Sequence, residues 1–329
     1  MTDRVLITGA TGFLGQEVAR RLVAGGAAVR ALVRPATDAA ALGALGVAIV
    51  RGDLRDTWSI EDAVRDIDLV IHMAAVHRGG AIRRTDFWQV NAEGTKRLLT
   101  AAVKSQVRRF VYVSTAGVLG DVGRDRLGTE DDPARPRDLY ELTKWRGEQA
   151  VRRIAHTDGI EAVILRPSAL YGPGETRFAK LFRPIAHRRF ILIGSGRKRL
   201  HFLHRDDAAD GILRAARLGP ARGQTFLLAG DGPVSILDFV HLVARVLGVP
   251  PPTARVPYAP VRALAVLTEG VCRPLGISPP LYRRRLAFFD TERAYSIEKA
   301  RAVLGFAPEV ELERGLTELA AWYQHEKLL

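Results

Sequence analysis

A single cysteine, Cys272, stands among 329 residues, beside only two methionines. One thiol excludes an intrachain disulfide, and with the eight histidines scattered there is no cluster of metal-ligand spacing. His201 and His204 are three apart, but in the strand-like run LHFLH that spacing points them to opposite faces, so no shared metal is expected. No apolar run approaches the roughly 20 residues that a membrane span needs. The N-terminus enters its first strand at once, so no signal peptide is expected, and a reducing cytoplasm is the expected compartment. Acidic residues are also in the minority, 36 against 49 basic, which leaves a net charge of +13. Such a balance suits an anionic ligand, although a solvated, arginine-rich surface accounts for much of it.

With 47% hydrophobic residues the chain can bury a sizeable core. Apolar, β-branched runs recur at Val5–Thr8, Val29–Val33, Val47–Val50, Leu69–Met73, Phe110–Ser114 and Val163–Arg166. Helical patterns at Gln16–Ala24, Ile60–Val64 and Thr95–Val103 separate them. Continuous apolar strands alternating with helices predict an α/β fold with a doubly wound parallel sheet. From Pro167 onward the alternation breaks and prolines and glycines become frequent, which predicts a smaller, mixed α/β lobe at the C-terminal side. The expected division gives 1–166 to the sheet domain, with 202–230 returning to it, and 167–201 and 231–329 to a substrate-binding lobe. The apolar stretch Val261–Val271, flanked by Arg262 and Arg273, is expected to pack on that lobe rather than lie on a membrane surface.

Within VLITGATGFLG, three glycines follow the first strand with the spacing GxxGxxG. Gly9 permits a tight turn out of the strand, Gly12 leaves backbone amides open to a pyrophosphate, and Gly15 lets the next helix lie close to the sheet. The helix N-terminus then offers unpaired N–H groups and a partial positive charge to the phosphates. This is a Rossmann-type dinucleotide site. At the end of the second strand, where an acidic residue would bind the ribose hydroxyls of NAD, the chain has Arg34. A guanidinium there can fork onto a 2′-phosphate, which favours NADP over NAD; a surface arginine at a strand end is the alternative. Asp53, in RGDLRD after the third strand, is placed either to accept from the adenine amino group or to cap a turn.

Tyr140 and Lys144 form YELTK on a predicted helix, where residues four apart share one face. Asp138, with Glu141 three residues on, gives that helix an N-terminal signature of the capping-box kind. To act as a base near neutrality Tyr140 must ionise about three pH units below its ordinary value, a cost of about 4 kcal/mol. A cation about 4 Å away at an effective dielectric near 20 supplies about that much, so Lys144 suffices in magnitude. Ser114 and Thr115, in VYVSTAGVLG, sit at the carboxyl end of a later strand, where doubly wound sheets hold their ligands. A hydroxyl there can hold a substrate oxygen while Tyr140 moves its proton; bonding of one of the two to the local backbone is the alternative.

TGATGFLG, GDLRD, the IHMAA run with His72, VNAEGT with Asn91, VSTAGVLG, YELTK and LRPSALYGPG together resemble the extended short-chain dehydrogenases/reductases of the NAD-dependent epimerase/dehydratase type, over essentially the whole chain. The resemblance implies that Thr115 fills the active-site Ser/Thr position, Tyr140 the acid/base and Lys144 the ribose-binding lysine, with Asn91 supporting the helix and a proton relay. It implies that Thr11, Phe13 and Leu14 of the glycine loop, Leu54 beside Asp53, and Met73, Ala74 and Ala75 border the cofactor, as do Ser114, Pro167 and Ser168. It implies a loop from Arg166 to Gly174 between cofactor and substrate, and a homodimer formed by the helices after Asn91 and around Tyr140.

The family's 4,6-dehydratases carry an Asp-Glu pair directly after the active-site threonine; here stand Ala116 and Gly117, so dehydration is disfavoured. Inversion of two centres by a Cys/His pair is disfavoured by the remote position of Cys272. The C-terminal portion is similar to the 3β-hydroxysteroid dehydrogenase and sterol-decarboxylase branch, and Arg34 to dihydroflavonol-reductase-like members. The expected function is therefore an NAD(P)-dependent oxidoreductase that transfers hydride between a nicotinamide and a secondary alcohol or ketone. The alternative is a sugar-nucleotide 4-epimerase with tightly bound NAD, whose diphosphate would meet Arg177, Arg183, Arg197, Lys198, Arg199 or the arginines at 283–285. An alternative of another class is a non-catalytic nucleotide-sensing or RNA-binding protein. The expected partner is a small molecule, anionic or sterol-like; no metal, nucleic acid or membrane span is expected.

Overall fold

The computed structural model describes residues 3–77, 82–272, 281 and 283–329, the side chains of 283–285 excepted. Six strands, β1 (Arg4–Thr8), β2 (Ala28–Val33), β3 (Ala48–Arg51), β4 (Leu69–His72), β5 (Arg109–Val113) and β6 (Glu161–Pro167), alternate with helices. The helices between them are α1 (Phe13–Ala24), α2 (Ala40–Ala44), α3 (Thr57–Val64), α4 (Arg84–Phe87), α5 (Thr95–Lys104) and α6 (Leu139–Asp158). Together with Thr225–Leu228 the strands form one sheet, in the order Thr225–Leu228, β6, β5, β4, β1, β2, β3, every neighbouring pair parallel.

The strands are apolar along their length because both faces of the sheet are covered. Val5 and Ile7 of β1, with Val111 and Val113 of β5, enter one core beneath α1 and the helix Arg205–Arg217. Leu6, Phe110 and Tyr112 point the other way, against α3, α5 and α6. This period-2 division puts a helical layer on each face, and each fully buried side chain of this size contributes about 1.5–3 kcal/mol. All strands being parallel, their carboxyl ends share one edge of the sheet.

Beyond β6 a third core forms from Tyr171, Phe182, Phe202, Phe239, Leu319 and Tyr323. It sits between the helices Ala179–Ala186, Ile236–Val246 and Leu312–His325 and is bordered by two-stranded pairs. Phe202 and Phe239 stack with ring centres 4.2 Å apart. Of residues 202–230, Thr225–Leu228 pairs with β6 and Arg205–Arg217 packs on α1. Phe202–His204 departs from the expected return: it pairs with Ala169–Tyr171 outside the main sheet.

The helix Tyr258–Cys272 is seated by a narrow stripe only. It buries Ala265 and Glu269, four residues apart, whereas Leu264, Leu267 and Val271 remain 53%, 65% and 63% exposed. One narrow stripe at i, i+4 is enough to seat a helix and leaves the remaining apolar residues outside. Arg273 and the side chains of 283–285 lie outside the described residues. Among the described residues no helix is long and apolar enough to cross a membrane.

Candidate active site

The glycine loop joins β1 to α1. Gly9 has φ +77°, and a Cβ there would come within 2.7 Å of the Ala74 amide nitrogen. A Cβ on Gly15 would overlap the Gly9 carbonyl oxygen, so α1 reaches the turn only without one. Gly12 caps α1 without a side-chain hydrogen bond, and the first turn holds no acidic residue. The first N–H groups of the helix are thus left for an anion. Thr11 and Phe13 border this turn half-buried, and Leu14 turns into the core.

At the adenosine end, Arg34 is exposed just beyond β2. Arg51 Nη1 donates to the carbonyl oxygens of Arg34 and Thr37, which fixes the turn that carries Arg34. Asp53 is not an open acceptor: the Arg55 side chain donates to it at 2.9 and 2.8 Å and the Arg55 backbone N–H at 2.9 Å, which holds its carboxyl below the usual range. Arg34 adds to this effect, so two arginines, 34 and 55, act on one carboxylate. Leu54 is buried against Gly94, where a Cβ would come within 2.9 Å of the Leu54 Cβ.

Met73, Ala74 and Ala75 follow β4 at the same edge and are half-buried. Thr8 Oγ1 accepts from the Ala74 N–H at 3.2 Å, which leaves its own proton for His72 Nδ1 at 2.6 Å. His72 Nε2 then donates to Thr95 Oγ1 at 2.9 Å, and Thr95 donates onward to the Asn91 carbonyl at 2.8 Å. These partners assign His72 the neutral Nε2–H form, and burial, with Lys144 nearby, holds its pKa well below the usual range. Asn91 itself lies in a π-helical turn, Trp88–Gly94. Its side chain clamps Val76 by both N–H and C=O, at 2.7 and 2.9 Å, and donates to Thr143 on α6 at 3.1 Å. A widened turn of this kind re-aims one side chain without ending the helix.

α6 begins where expected. Asp138 accepts from the Glu141 N–H at 2.9 Å, but Glu141 reaches back to the Arg137 N–H rather than to Asp138. Its other oxygen accepts from Arg293 at 2.7 Å, behind Gly117, where any Cβ would crowd both groups. Tyr140 is half-buried, one turn before Lys144. Lys144 is 1% exposed, with Nζ 4.1 Å from the centre of the Tyr112 ring, and burial lowers its pKa to about 7 against the pull of Glu148. At the end of β5, Thr115 Oγ1 accepts from the Gly117 N–H at 3.1 Å and keeps its own proton to donate. The local backbone bond expected of one hydroxyl thus belongs to Thr115. Pro167 ends β6, and Ser168 follows it.

Three buried polar atoms at this edge have no hydrogen-bond partner among the described residues: Ser114 Oγ, Lys144 Nζ and Ser168 Oγ. Leaving such groups unmet costs about 1–3 kcal/mol each, more for a charge. With the open helix terminus and the glycine cradle they fit a dinucleotide. Arg166, at the start of the loop named above, has its side chain elsewhere, buried and doubly bonded to Glu148 at 3.0 and 2.8 Å. The basic residues weighed for a diphosphate are mostly engaged: Arg177 with Glu175, Arg183 with the Leu328 carbonyl, Lys198 with Asp121 and Arg199 with Glu292. His201 donates to the Gly230 carbonyl and accepts from the Tyr295 N–H, and burial lowers its pKa to about 4. Thr8, Thr95, Thr143, Gly147 and Arg55 were not singled out in the sequence. Gly147 carried the strongest missed signal, a glycine inside a helix: a Cβ there would overlap the Tyr112 hydroxyl and press on the Asn91 carbonyl.

Residues 5–229 match the NAD dependent epimerase/dehydratase family. Over 96% of the chain and 95% of the relative, the sequence is 33% identical to 4-hydroxy-2-methyl-3-oxo-4-farnesyl-3,4-dihydroquinoline-1-oxide ketoreductase of Stigmatella aurantiaca. It is 29% identical, over 97% and 98%, to 2-alkyl-3-oxoalkanoate reductase of Stenotrophomonas maltophilia. It is 32% identical, over 97% and 90%, to 3 beta-hydroxysteroid dehydrogenase/Delta 5-->4-isomerase of Mycobacterium tuberculosis. Among solved structures, a short-chain dehydrogenase/reductase superfamily protein of Agrobacterium tumefaciens with bound NAD superposes with a TM-score of 0.76 at 26% identity, covering 98% of both chains.

Proposed function

The chain belongs to the NAD dependent epimerase/dehydratase family, and from that premise we propose that it exchanges a hydride between a nicotinamide cofactor and a secondary alcohol or ketone. It is an extended short-chain dehydrogenase/reductase enzyme. The observation that carries the reading is the buried Lys144 ammonium, without a hydrogen-bond partner among the described residues, one helical turn from Tyr140 and on the same edge as Thr115.

When bound, the nicotinamide supplies or accepts the hydride. In the reducing direction Thr115, with one lone pair engaged by the Gly117 N–H, keeps its proton and donates a hydrogen bond to the carbonyl oxygen. Tyr140 delivers a proton to that oxygen as charge develops there. Lys144 meets the ribose hydroxyls and keeps a positive charge beside the phenol, which favours its ionised form. Asn91, engaged by Val76 and Thr143, holds the turn and helix in register rather than touching substrate. The glycines 9, 12 and 15, Thr11, Phe13 and Leu14 hold the diphosphate. Leu54, Met73, Ala74 and Ala75 line the adenosine and ribose, and Ser114, Pro167 and Ser168 line the nicotinamide.

NADP is preferred over NAD because Arg34, exposed on a turn that Arg51 fixes, offers its guanidinium where a 2′-phosphate would sit. The substrate, bound against residues 167–201 and 231–329, is a ketone or alcohol on a bulky apolar skeleton, as the names of the three relatives share. The sugar-nucleotide alternative loses support because four of its candidate diphosphate ligands are already held by protein groups. A homodimer through α5 and α6 and a cytoplasmic setting complete the reading, and light scattering checks the first.

The test is to release and identify any nucleotide carried by freshly purified protein. Reduction of 2-alkyl-3-oxoalkanoates and oxidation of 3β-hydroxysteroids are then followed by nicotinamide absorbance. An empty site that turns over one of these with NADPH, and loses about a hundredfold in Tyr140→Phe, is expected. Stoichiometric bound NAD with epimerisation of a UDP-sugar overturns the proposal.

A further inference from the structure

Arg205 opens the helix Arg205–Arg217 and lies outside the residues assigned above, yet its side chain meets two loops at the carboxyl edge of the sheet. Its guanidinium carbon stands 5.6 Å from the centre of the Phe13 ring, in the glycine loop. Its Nη1 donates to the Pro173 carbonyl at 2.8 Å, in the turn that follows Ala169–Tyr171. We propose that Arg205 is a positioning residue that slows the departure of the bound dinucleotide by tying the glycine loop to this turn, an inference that rests on the reading of the glycine loop as the diphosphate site.

Phe13 is the first residue of α1, and its ring is not spent on the sheet: Leu14 enters the core beneath α1, whereas Phe13 stays half-buried. A Cβ on Gly174 would come within 3.3 Å of Phe13 Cδ2 and 3.8 Å of Arg205 Nη1, so ring, turn and guanidinium meet at one point. Each loop is also held by its own element. The Gly12 N–H closes the glycine loop on the Gly9 carbonyl at 3.1 Å. The Glu175 N–H closes the turn on the Gly172 carbonyl at 3.1 Å, and Tyr323 Oη, in the third core, donates to the Glu175 carbonyl at 2.7 Å. Gly172, with φ +131°, lies so close to His204 that a Cβ would be 2.8 Å from its Nε2. Neither loop depends on Arg205 for its shape. What Arg205 adds is a tie between them.

The contribution is one of geometry rather than charge. Arg205 Nε donates to the Asp206 carboxylate at 3.2 Å, so the two side chains together are close to neutral toward an anion nearby. A planar guanidinium can lie over a ring and donate in its own plane at the same time, which a lysine ammonium cannot. Beyond Phe13, Pro173 and Asp206, the Arg205 side chain makes no hydrogen bond or ring contact among the described residues, and it is one-quarter exposed. Its replacement is therefore compatible with an intact fold.

The test compares wild type, Arg205→Met, Arg205→Lys, Phe13→Leu and the double variant Arg205→Met/Phe13→Leu. Each is loaded with the reduced nucleotide that wild type holds more tightly, NADPH or NADH, and chased with excess oxidised nucleotide. Release is followed by nicotinamide fluorescence, with no substrate present. Affinity for adenosine, which carries no diphosphate, and the thermal midpoint of the empty protein are measured alongside.

Arg205→Met should release the nucleotide about tenfold faster, with association rate, adenosine affinity and thermal midpoint near those of wild type. Arg205→Lys should release it as Arg205→Met does, because it keeps the charge and loses the flat face. Phe13→Leu should also speed release, and the double variant should stay within about twofold of Phe13→Leu alone, since both changes cut the same tie. Wild-type release rates in Arg205→Met overturn the proposal, as do rescue by Arg205→Lys and fully additive effects in the double variant. So does a parallel loss of adenosine affinity and thermal midpoint in Arg205→Met, which would mark a general loosening of the fold. The two Arg205 variants decide the matter without Phe13→Leu, should that variant fail to fold. If wild type binds neither NADPH nor NADH, the reading of the glycine loop fails instead.

Discussion

Lys144 holds its ammonium nitrogen 4.1 Å from the centre of the Tyr112 ring and has no hydrogen-bond acceptor among the described residues, although it is 1% exposed. A buried cation so sparsely compensated costs stability, and its use must lie in what it meets when the site is filled. Lys144→Met should therefore reduce turnover by about a hundredfold or more while leaving the apo protein as stable as wild type or more so. The sign with pH follows from the lysine pKa, about 7 in the fold against 10.5 for the free side chain. Between these values the unfolded chain holds the extra proton, so wild-type stability rises with pH there while that of the variant stays level. Denaturant melts near neutrality and in mild alkali, read side by side, check this.

Arg34→Asp should reverse the nucleotide preference. It removes a cation that acts on Asp53 and adds a carboxylate where a 2′-phosphate would sit and where ribose hydroxyls can donate. NADPH affinity is expected to fall about 10- to 100-fold and NADH affinity to hold or improve, measured by titrating intrinsic fluorescence.

Gly15→Ala tests whether the close approach of α1 to its own loop is obligatory. The added methyl would overlap the Gly9 carbonyl oxygen and lie 2.7 Å from the Ala10 Cα, both backbone atoms with nowhere to go. The variant should lose about 1–3 kcal/mol of stability as well as nucleotide binding. A variant that melts like wild type and binds NADPH normally would contradict the cradle.

Acid should weaken the fold through two buried histidines. His72 is held neutral between Thr8 and Thr95, and His201 between Gly230 and Tyr295, with folded pKa values well below 6.5 and about 4. The unfolded chain protonates both near 6.5, so their stabilisation is complete above that pH and is lost as pH falls below it. Each contributes up to about 1.4 kcal/mol per pH unit in this window. His201→Gln should flatten the slope of stability between pH 6.5 and 4, whatever its offset at neutrality.

Most of the sheet was legible because its signal is local. A strand buried on both faces must be apolar throughout, and the six runs named in the sequence became β1 to β6 within one or two residues at each end. The glycine loop and the order of Ser114, Thr115, Tyr140 and Lys144 were legible because spacing alone carries them. The rest depends on partners distant in sequence. Asp53 reads as an open acceptor until Arg55 folds onto it, and Glu141 as half of a capping box until Arg293 arrives from the far end of the chain. The π-helical turn at Asn91 leaves no mark in VNAEGT, because it is imposed by Val76 and Thr143. The exposure of Leu264, Leu267 and Val271 was missed because an apolar run cannot say which of its sides finds a neighbour.

The seventh strand has a consequence for how this architecture diversifies. After β6 the chain leaves the sheet, lays down Ala169–Tyr171, the helix Ala179–Ala186 and Phe202–His204, and comes back to add Thr225–Leu228 before leaving for good. The outer core is thus assembled from two separate stretches of sequence, one spliced between adjacent strands and one trailing. A recombination event with a single breakpoint cannot import a new version of it whole. Wholesale exchange requires two coordinated replacements, so change in this lobe is expected to accumulate by substitution and short insertion, with the edge strand holding both stretches to one frame.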